Sequence, residues 1–268
     1  MGADRIEAAF VEKRRCGYVG VIPYVTVGFP DVATTLELVP ALASAGAVVI
    51  ELGVPFSDPL ADGVTIQKAS FHALRQGVNL MGCLKTCSTL RGQGLDTPLV
   101  LMGYYNPIYA YGLHSFAQDA EAAGVDGVII PDLPTEEIAP LRQQCEKVGM
   151  AIVPLLAPTS TEDRVAAACS NAKGFVYCVS VTGVTGVRED VSLGVADLVS
   201  VVRKHTDLSV AVGFGVSRWT HVQSLAGIAD GVVIGSALIE VIEKTPRESV
   251  VSEAYAFLKE LTGVPRLV

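Results

Sequence analysis

The sequence predicts an α/β fold: a single (β/α)8 TIM barrel spanning residues 1–268, with an extra helix at its N-terminus. Three observations predict it. Apolar runs rich in Val and Ile recur at 19–27, 47–54, 98–104, 126–131, 151–157, 174–181, 209–214 and 231–235, eight in all. The runs are near-continuous rather than alternating, which is the pattern of strands buried on both faces and so of a parallel sheet. Helical patterns separate them, and eight strand–helix units in about 250 residues fit a closed barrel better than an open doubly wound sheet.

In chain order, Ile6, Phe10 and Val11 stand near helical spacing among charges, so 4–15 reads as a short amphipathic helix. The first apolar run ends in Gly28-Phe29-Pro30-Asp31, which is neither a dinucleotide fingerprint nor a Walker A loop. A helix is expected over 35–45, with Pro40 kinking or delaying it and Gly46 ending it. Gly124 and Gly149 stand just before the fourth and fifth runs as helix stops. Further helices are expected over 135–148 and 193–205.

The 268 residues are 50% hydrophobic and 18% charged, enough apolar surface for a large core and too much for a disordered chain. The net charge of −8 argues against a broad basic face for nucleic acid. No run has the length of a membrane span, and the N-terminus has neither a signal pattern nor the myristoylation motif. The six cysteines, at 16, 83, 87, 145, 169 and 178, are scattered, as expected for reduced thiols in a cytoplasmic protein. Cys83 and Cys87 share a helix spacing, but no His or Cys pair completes a zinc set, so no metal site is expected.

Functional groups of such a barrel sit at the C-terminal ends of its strands. Glu51 interrupts the second run. Period two puts Val49, Glu51 and Gly53 on one face and the more apolar Ile50, Leu52 and Val54 on the other. Glu51 is therefore expected to point into the barrel, where lost hydration raises its pKa toward the range of a general acid or base. The loop that follows, 55–63, carries Asp58 and Asp62. Asp58 reads equally as a turn residue, and Asp62 reads as folding back over the mouth. Glycines cluster after the last three runs, as Gly183 and Gly186, Gly213 and Gly215, and Gly235-Ser236. Backbone N–H groups there suit a phosphate. None of the lysines falls in or at the end of a run, which leaves no Schiff-base candidate. Acid–base chemistry on a phosphorylated substrate remains.

The run Ile50-Glu51-Leu52-Gly53-Val54-Pro55-Phe56-Ser57-Asp58-Pro59-Leu60-Ala61-Asp62-Gly63 resembles the signature of the tryptophan synthase alpha subunit. So do Pro23-Tyr24-Val25-Thr26, Gly103-Tyr104-Tyr105-Asn106-Pro107, Val125-Asp126-Gly127, Pro131-Asp132-Leu133-Pro134, Gly183-Val184-Thr185-Gly186 and Gly213-Phe214-Gly215, and the likeness spans essentially the whole chain. The resemblance implies a lyase that cleaves indole-3-glycerol phosphate to indole and glyceraldehyde 3-phosphate for tryptophan biosynthesis. It implies no cofactor in this chain, and a pyridoxal-phosphate-bearing beta-subunit partner, joined in an alpha2-beta2 heterotetramer.

By that resemblance Glu51 protonates C3 of the indole ring, and Asp62 hydrogen-bonds the indole N–H. Tyr177 stands near Glu51, and Thr185 orients the aspartate. Gly186, Gly213, Phe214, Gly215, Gly235 and Ser236 fall in the phosphate segments. Tyr24, Met102, Tyr104 and Ile129 line the indole pocket. Two residues depart from the family pattern: Val64 stands where many members have Pro, and Val181 where some have Arg. A stand-alone lyase releasing free indole, a phosphosugar isomerase and a non-catalytic regulatory barrel are the alternatives. Intact Glu51 and Asp62 argue against the last two.

Overall fold

The computed structural model describes residues 1–179, 188–213 and 215–266. All strand pairings among the named strands are parallel: β1 (Gly20–Thr26), β2 (Ile50–Gly53), β3 (Leu99–Met102), β4 (Gly127–Ile129), β5 (Ala151–Ile152), β6 (Leu155–Leu156), β7 (Phe175–Val179), β8 (Ser209–Gly213) and β9 (Gly231–Ile234). Each lies within one of the eight apolar runs. The fifth run supplies two, because Pro154 has no N–H to give and interrupts the ladder. The sheet order is β5-β4-β3-β2-β1-β9-β8-β7-β6. The ring closes across the interruption. Val153 donates its N–H to Val128 on β4 at 3.0 Å, and Pro154 accepts from Tyr177 on β7 at 3.0 Å, so consecutive residues between β5 and β6 bond the strands on either side.

The strand period sorts the core into two shells. Val49, just before β2, belongs to the inner cluster, with Ile22, Val100, Ile129, Ala151, Val153, Phe175, Ala211 and Val233. Ile50, Leu52 and Val54 belong to the outer cluster, under the helices. The helix Gly2–Arg15 closes the N-terminal end of the barrel with Ala3, Ile6 and Phe10, and Phe10 stacks obliquely on Phe175 at 5.5 Å. Arg5 of this helix reaches Asp126 at the start of β4, and Arg14 reaches Asp230 at the start of β9.

Helix boundaries differ from expectation for local reasons. The helix Val32–Ala45 begins three residues before the expected start, because the Asp31 side chain caps it by accepting from Thr34 N–H at 2.6 Å. It runs through Pro40 without a break and ends at Gly46 in the left-handed conformation, φ 108°. The helix Ala139–Lys147 starts later than expected, after a turn in which Glu137 N–H bonds Pro134. The helix Arg188–Val202 covers most of the expected 193–205.

Candidate active site

Glu51 points into the barrel near its C-terminal mouth. It is fully buried, and among the described residues neither carboxyl oxygen has a hydrogen-bond partner. Burial pushes its pKa up to about 8. A carboxyl in this setting holds its proton at neutral pH and gives it up readily to a base.

Glu51 opens on a cavity of about 480 Å³ lined also by Tyr24, Met102, Tyr177, Gly213, Gly215, Gly235 and Ser236. Eight of the residues singled out from the sequence thus meet in one place. The far side of this cavity is the N-terminus of the helix Ser236–Lys244, which no side chain caps. Uncapped N–H groups and the helix dipole make such an end receptive to an anion. Gly215, with φ 30°, has no described residue within 4 Å of where its Cβ would be. Gly213 has a different neighbour: a Cβ there would fall 2.3 Å from Tyr177 Oη. The bare backbone at Gly213 makes room for that hydroxyl.

Asp62 stands on the loop above. It is half-buried, and burial raises its pKa to about 6, opposed by a hydrogen bond from Tyr104. The loop is tied down at several points. Ala61 N–H donates to Tyr104 Oη at 3.0 Å, and Gln67 Nε2 donates to the Asp62 carbonyl at 2.8 Å. Phe56 stacks on Tyr104 with ring centroids 5.0 Å apart, and its N–H donates to Ser70 Oγ at 2.9 Å. Val64 is the first residue of the helix Val64–Arg75. Asp58 is an exposed turn residue that accepts from Ser57 Oγ at 2.6 Å.

Ile129 is wholly buried in the inner core, beside Met102 in register, and is not on the cavity wall. Thr185, Gly186 and Phe214 lie outside the described residues, as does Val181. The cavity wall also includes Ile66, Val216, Ser217, Val233, Ala237 and Glu240, which the sequence did not single out. Helical spacing from Ser236 would have found Glu240, one turn on along the same face. A larger cavity of about 560 Å³ lies beside β5 and β6. Its arginines are engaged, Arg142 with Glu146 at 3.7 Å and Arg164 with Glu136 at 3.1 Å, and Glu51 is not in it. Among the described residues no group of His, Cys, Asp and Glu is placed to hold a metal ion.

A parallel (β/α)8 barrel with a buried, unpaired carboxyl at its C-terminal mouth, facing an uncapped helix N-terminus, belongs to the class of barrels equipped for acid–base chemistry. Comparison with known proteins narrows the class. The profile of the family "Tryptophan synthase alpha chain" matches residues 10–263. The tryptophan synthase alpha chains of Chloroflexus aggregans and Chloroflexus aurantiacus are 46% and 47% identical to this chain, over 99% and 96% of it and 99% and 97% of their own lengths. A crystal structure of tryptophan synthase subunit alpha from Legionella pneumophila superposes with a TM-score of 0.87 at 32% identity, covering 96% of each chain. A tryptophan synthase structure from M. tuberculosis superposes at 0.88 with 35% identity, over 98% of this chain and 99% of that one. The chain belongs to the tryptophan synthase alpha chain family.

Proposed function

We propose that this chain is a carbon–carbon lyase that cleaves indole-3-glycerol phosphate to indole and glyceraldehyde 3-phosphate. The observation that carries the reading is the Glu51 carboxyl, buried without a hydrogen-bond partner among the described residues on the wall of the cavity that ends at Gly235 and Ser236. The substrate phosphate rests on the helix N-terminus at Ser236 and on the backbone near Gly215. The indole ring lies toward Met102, Tyr104 and Asp62. The reaction needs no cofactor. Glu51 gives its proton to C3 of the indole ring, and positive charge spreads to the ring nitrogen. Asp62, ionised, accepts a hydrogen bond from the indole N–H and stabilises that charge. The Glu51 carboxylate then takes the proton of the glycerol hydroxyl nearest the ring. The carbon–oxygen double bond forms, the carbon–carbon bond to the ring breaks, and its electrons return to the indole.

We propose further that the chain acts with a beta subunit, in an alpha2-beta2 assembly in the cytoplasm, with pyridoxal phosphate held by the partner. Relatives carry the name of an alpha chain, and that name supports a second subunit. The catalytic face offers a surface for it. Leu60 is 93% exposed and Tyr109 65% exposed. Tyr105 N–H donates to Asp132 Oδ1 at 2.9 Å, which joins the segment before Asn106 to 131–134. The whole chain, 1–268, works as one barrel domain in this reading.

The test is indole release from indole-3-glycerol phosphate by the purified chain, alone and with a tryptophan synthase beta subunit. Slow release that rises strongly with the beta subunit supports the full proposal. Fast release indifferent to the partner leaves the lyase and removes the coupling. No release in either case overturns the reading.

A further inference from the structure

Tyr24 and Glu51 are register partners across β1 and β2, so their inward side chains stand side by side, rooted about 5 Å apart. The tyrosine ring leans along β2 toward the mouth. A Cβ on Gly53 would fall 2.0 Å from Tyr24 Oη, so the hydroxyl rests over the Gly53 backbone, one inward position beyond Glu51. Thr26 Oγ1 donates to that oxygen at 3.4 Å. A phenol has one proton to give, and with its oxygen accepting from Thr26 that proton is left for another acceptor. Tyr24 and Glu51 line the same cavity, and among the described residues the Glu51 oxygens have no hydrogen-bond partner in the resting structure.

The other ionisable groups are placed differently. Tyr177 faces Glu51 from β7, across the barrel, with its hydroxyl over Gly213. Asp62 and Tyr104 face Tyr24 from the mouth, and Glu240 lies on the wall with Ser236. β3 offers Val100 and Met102 in register with Glu51 and Gly53. Burial, with Asp62 and Glu51 nearby, keeps the Tyr24 phenol protonated far above neutral pH.

We propose that Tyr24 is a positioning residue for the cleavage: its hydroxyl donates a hydrogen bond to the Glu51 carboxylate between the two proton transfers. The inference rests on the cleavage reading above. Glu51 reaches the substrate as a neutral acid and becomes a buried anion when its proton passes to C3. The Tyr24 hydroxyl then supplies the partner that the resting carboxyl lacks. Tyr24 keeps its own proton throughout, and the Glu51 carboxyl is restored by the proton it takes from the glycerol hydroxyl.

Tyr24→Phe removes one oxygen and leaves the ring. Hydrogen bonds to charged groups are worth ~1.5–3 kcal/mol, so kcat falls roughly 10- to 100-fold. The fall in kcat at high pH, which follows ionisation of Glu51, moves upward by about one pH unit, because the anion has lost a donor. Thr26→Val keeps the phenol, removes the group that orients it and moves both readouts the same way by less. An unchanged kcat in Tyr24→Phe overturns the proposal. So does a lower kcat with an unmoved alkaline limb, since lost packing would not shift a proton equilibrium. Glu51→Gln separates the two levels. If it retains indole release, the cleavage reading itself fails; if it is inactive while Tyr24→Phe matches the parent, only the role of Tyr24 fails.

Discussion

The two ends of the barrel treat buried carboxylates in opposite ways. At the N-terminal end, Asp126 accepts from Leu99 N–H at 2.8 Å and pairs with Arg91 and with Arg5 at 3.3 Å. Asp230 repeats the arrangement. It accepts from Val210 N–H at 2.9 Å and pairs with Arg203 at 3.2 Å, Arg14 at 3.5 Å and Arg266 at 2.7 Å. At the C-terminal end Glu51 has no hydrogen-bond partner among the described residues. A buried charge met by guanidinium and backbone donors holds the fold together, whereas a buried carboxyl left alone keeps its proton and is available for chemistry. Burial pushes the Asp126 pKa up too, but the Leu99 N–H and the two guanidiniums oppose it. The contrast lies in the partners more than in the depth.

The contrast is broken most forcefully at Asp126. Asp126→Asn leaves the Arg91 guanidinium without its counter-charge and lowers stability by about 3 kcal/mol, read as a lower urea midpoint at unchanged slope. Glu51→Gln moves stability the other way. Glu51 is neutral when folded up to about pH 8, but ionises in the unfolded chain above about pH 4.5. Its stabilising contribution is therefore complete below that lower value and is lost as pH rises toward 8. The variant then melts above the parent at pH 8 by a margin that closes near pH 4, while indole release falls about 10²- to 10⁴-fold. A thermal melt at the two pH values checks the first point and a single-turnover assay the second.

A smaller effect concerns the acid and its electrostatic partner together. Glu51 acts as an acid below about 8 and Asp62 as an anion above about 6. kcat/KM is expected to rise with pH through the lower value and fall through the higher. Asp62→Asn removes the acidic limb and leaves the alkaline one. The smallest effect belongs to Val64→Pro. The first position of a helix accepts proline, and the loop is already held by Ser70, Gln67 and Tyr104. Stability rises by about 0.5 kcal/mol at most, and kcat is unchanged with or without the partner.

Much of this was legible in the sequence because its signals are periodic. Val49, Glu51 and Gly53 share a face by simple alternation, and the eight apolar runs mark the barrel. What escaped notice depends on pairs far apart in the chain. Val125-Asp126-Gly127 reads as one piece of a family pattern, yet Asp126 earns its place through Arg5 and Arg91, which only the fold brings to it. Pro40 looked disruptive, but it sits in the helix Val32–Ala45 without ending it. Gly213 reads from the sequence as part of a phosphate cradle and lines the cavity, and the fold adds a reason for its missing side chain, the hydroxyl of Tyr177, on a strand whose register with β8 cannot be read from spacing.

The split strand has a consequence for how the ring opens. β5 and β6 meet their neighbours through two register pairs each, whereas β2, which carries Glu51, is held by three on one side and four on the other. The barrel is thus a hoop with one thin link. In native-state hydrogen exchange the amides of Val153 and Tyr177 lose protection before those that flank Glu51, so the hoop widens at Pro154 while the segment bearing the acid stays closed.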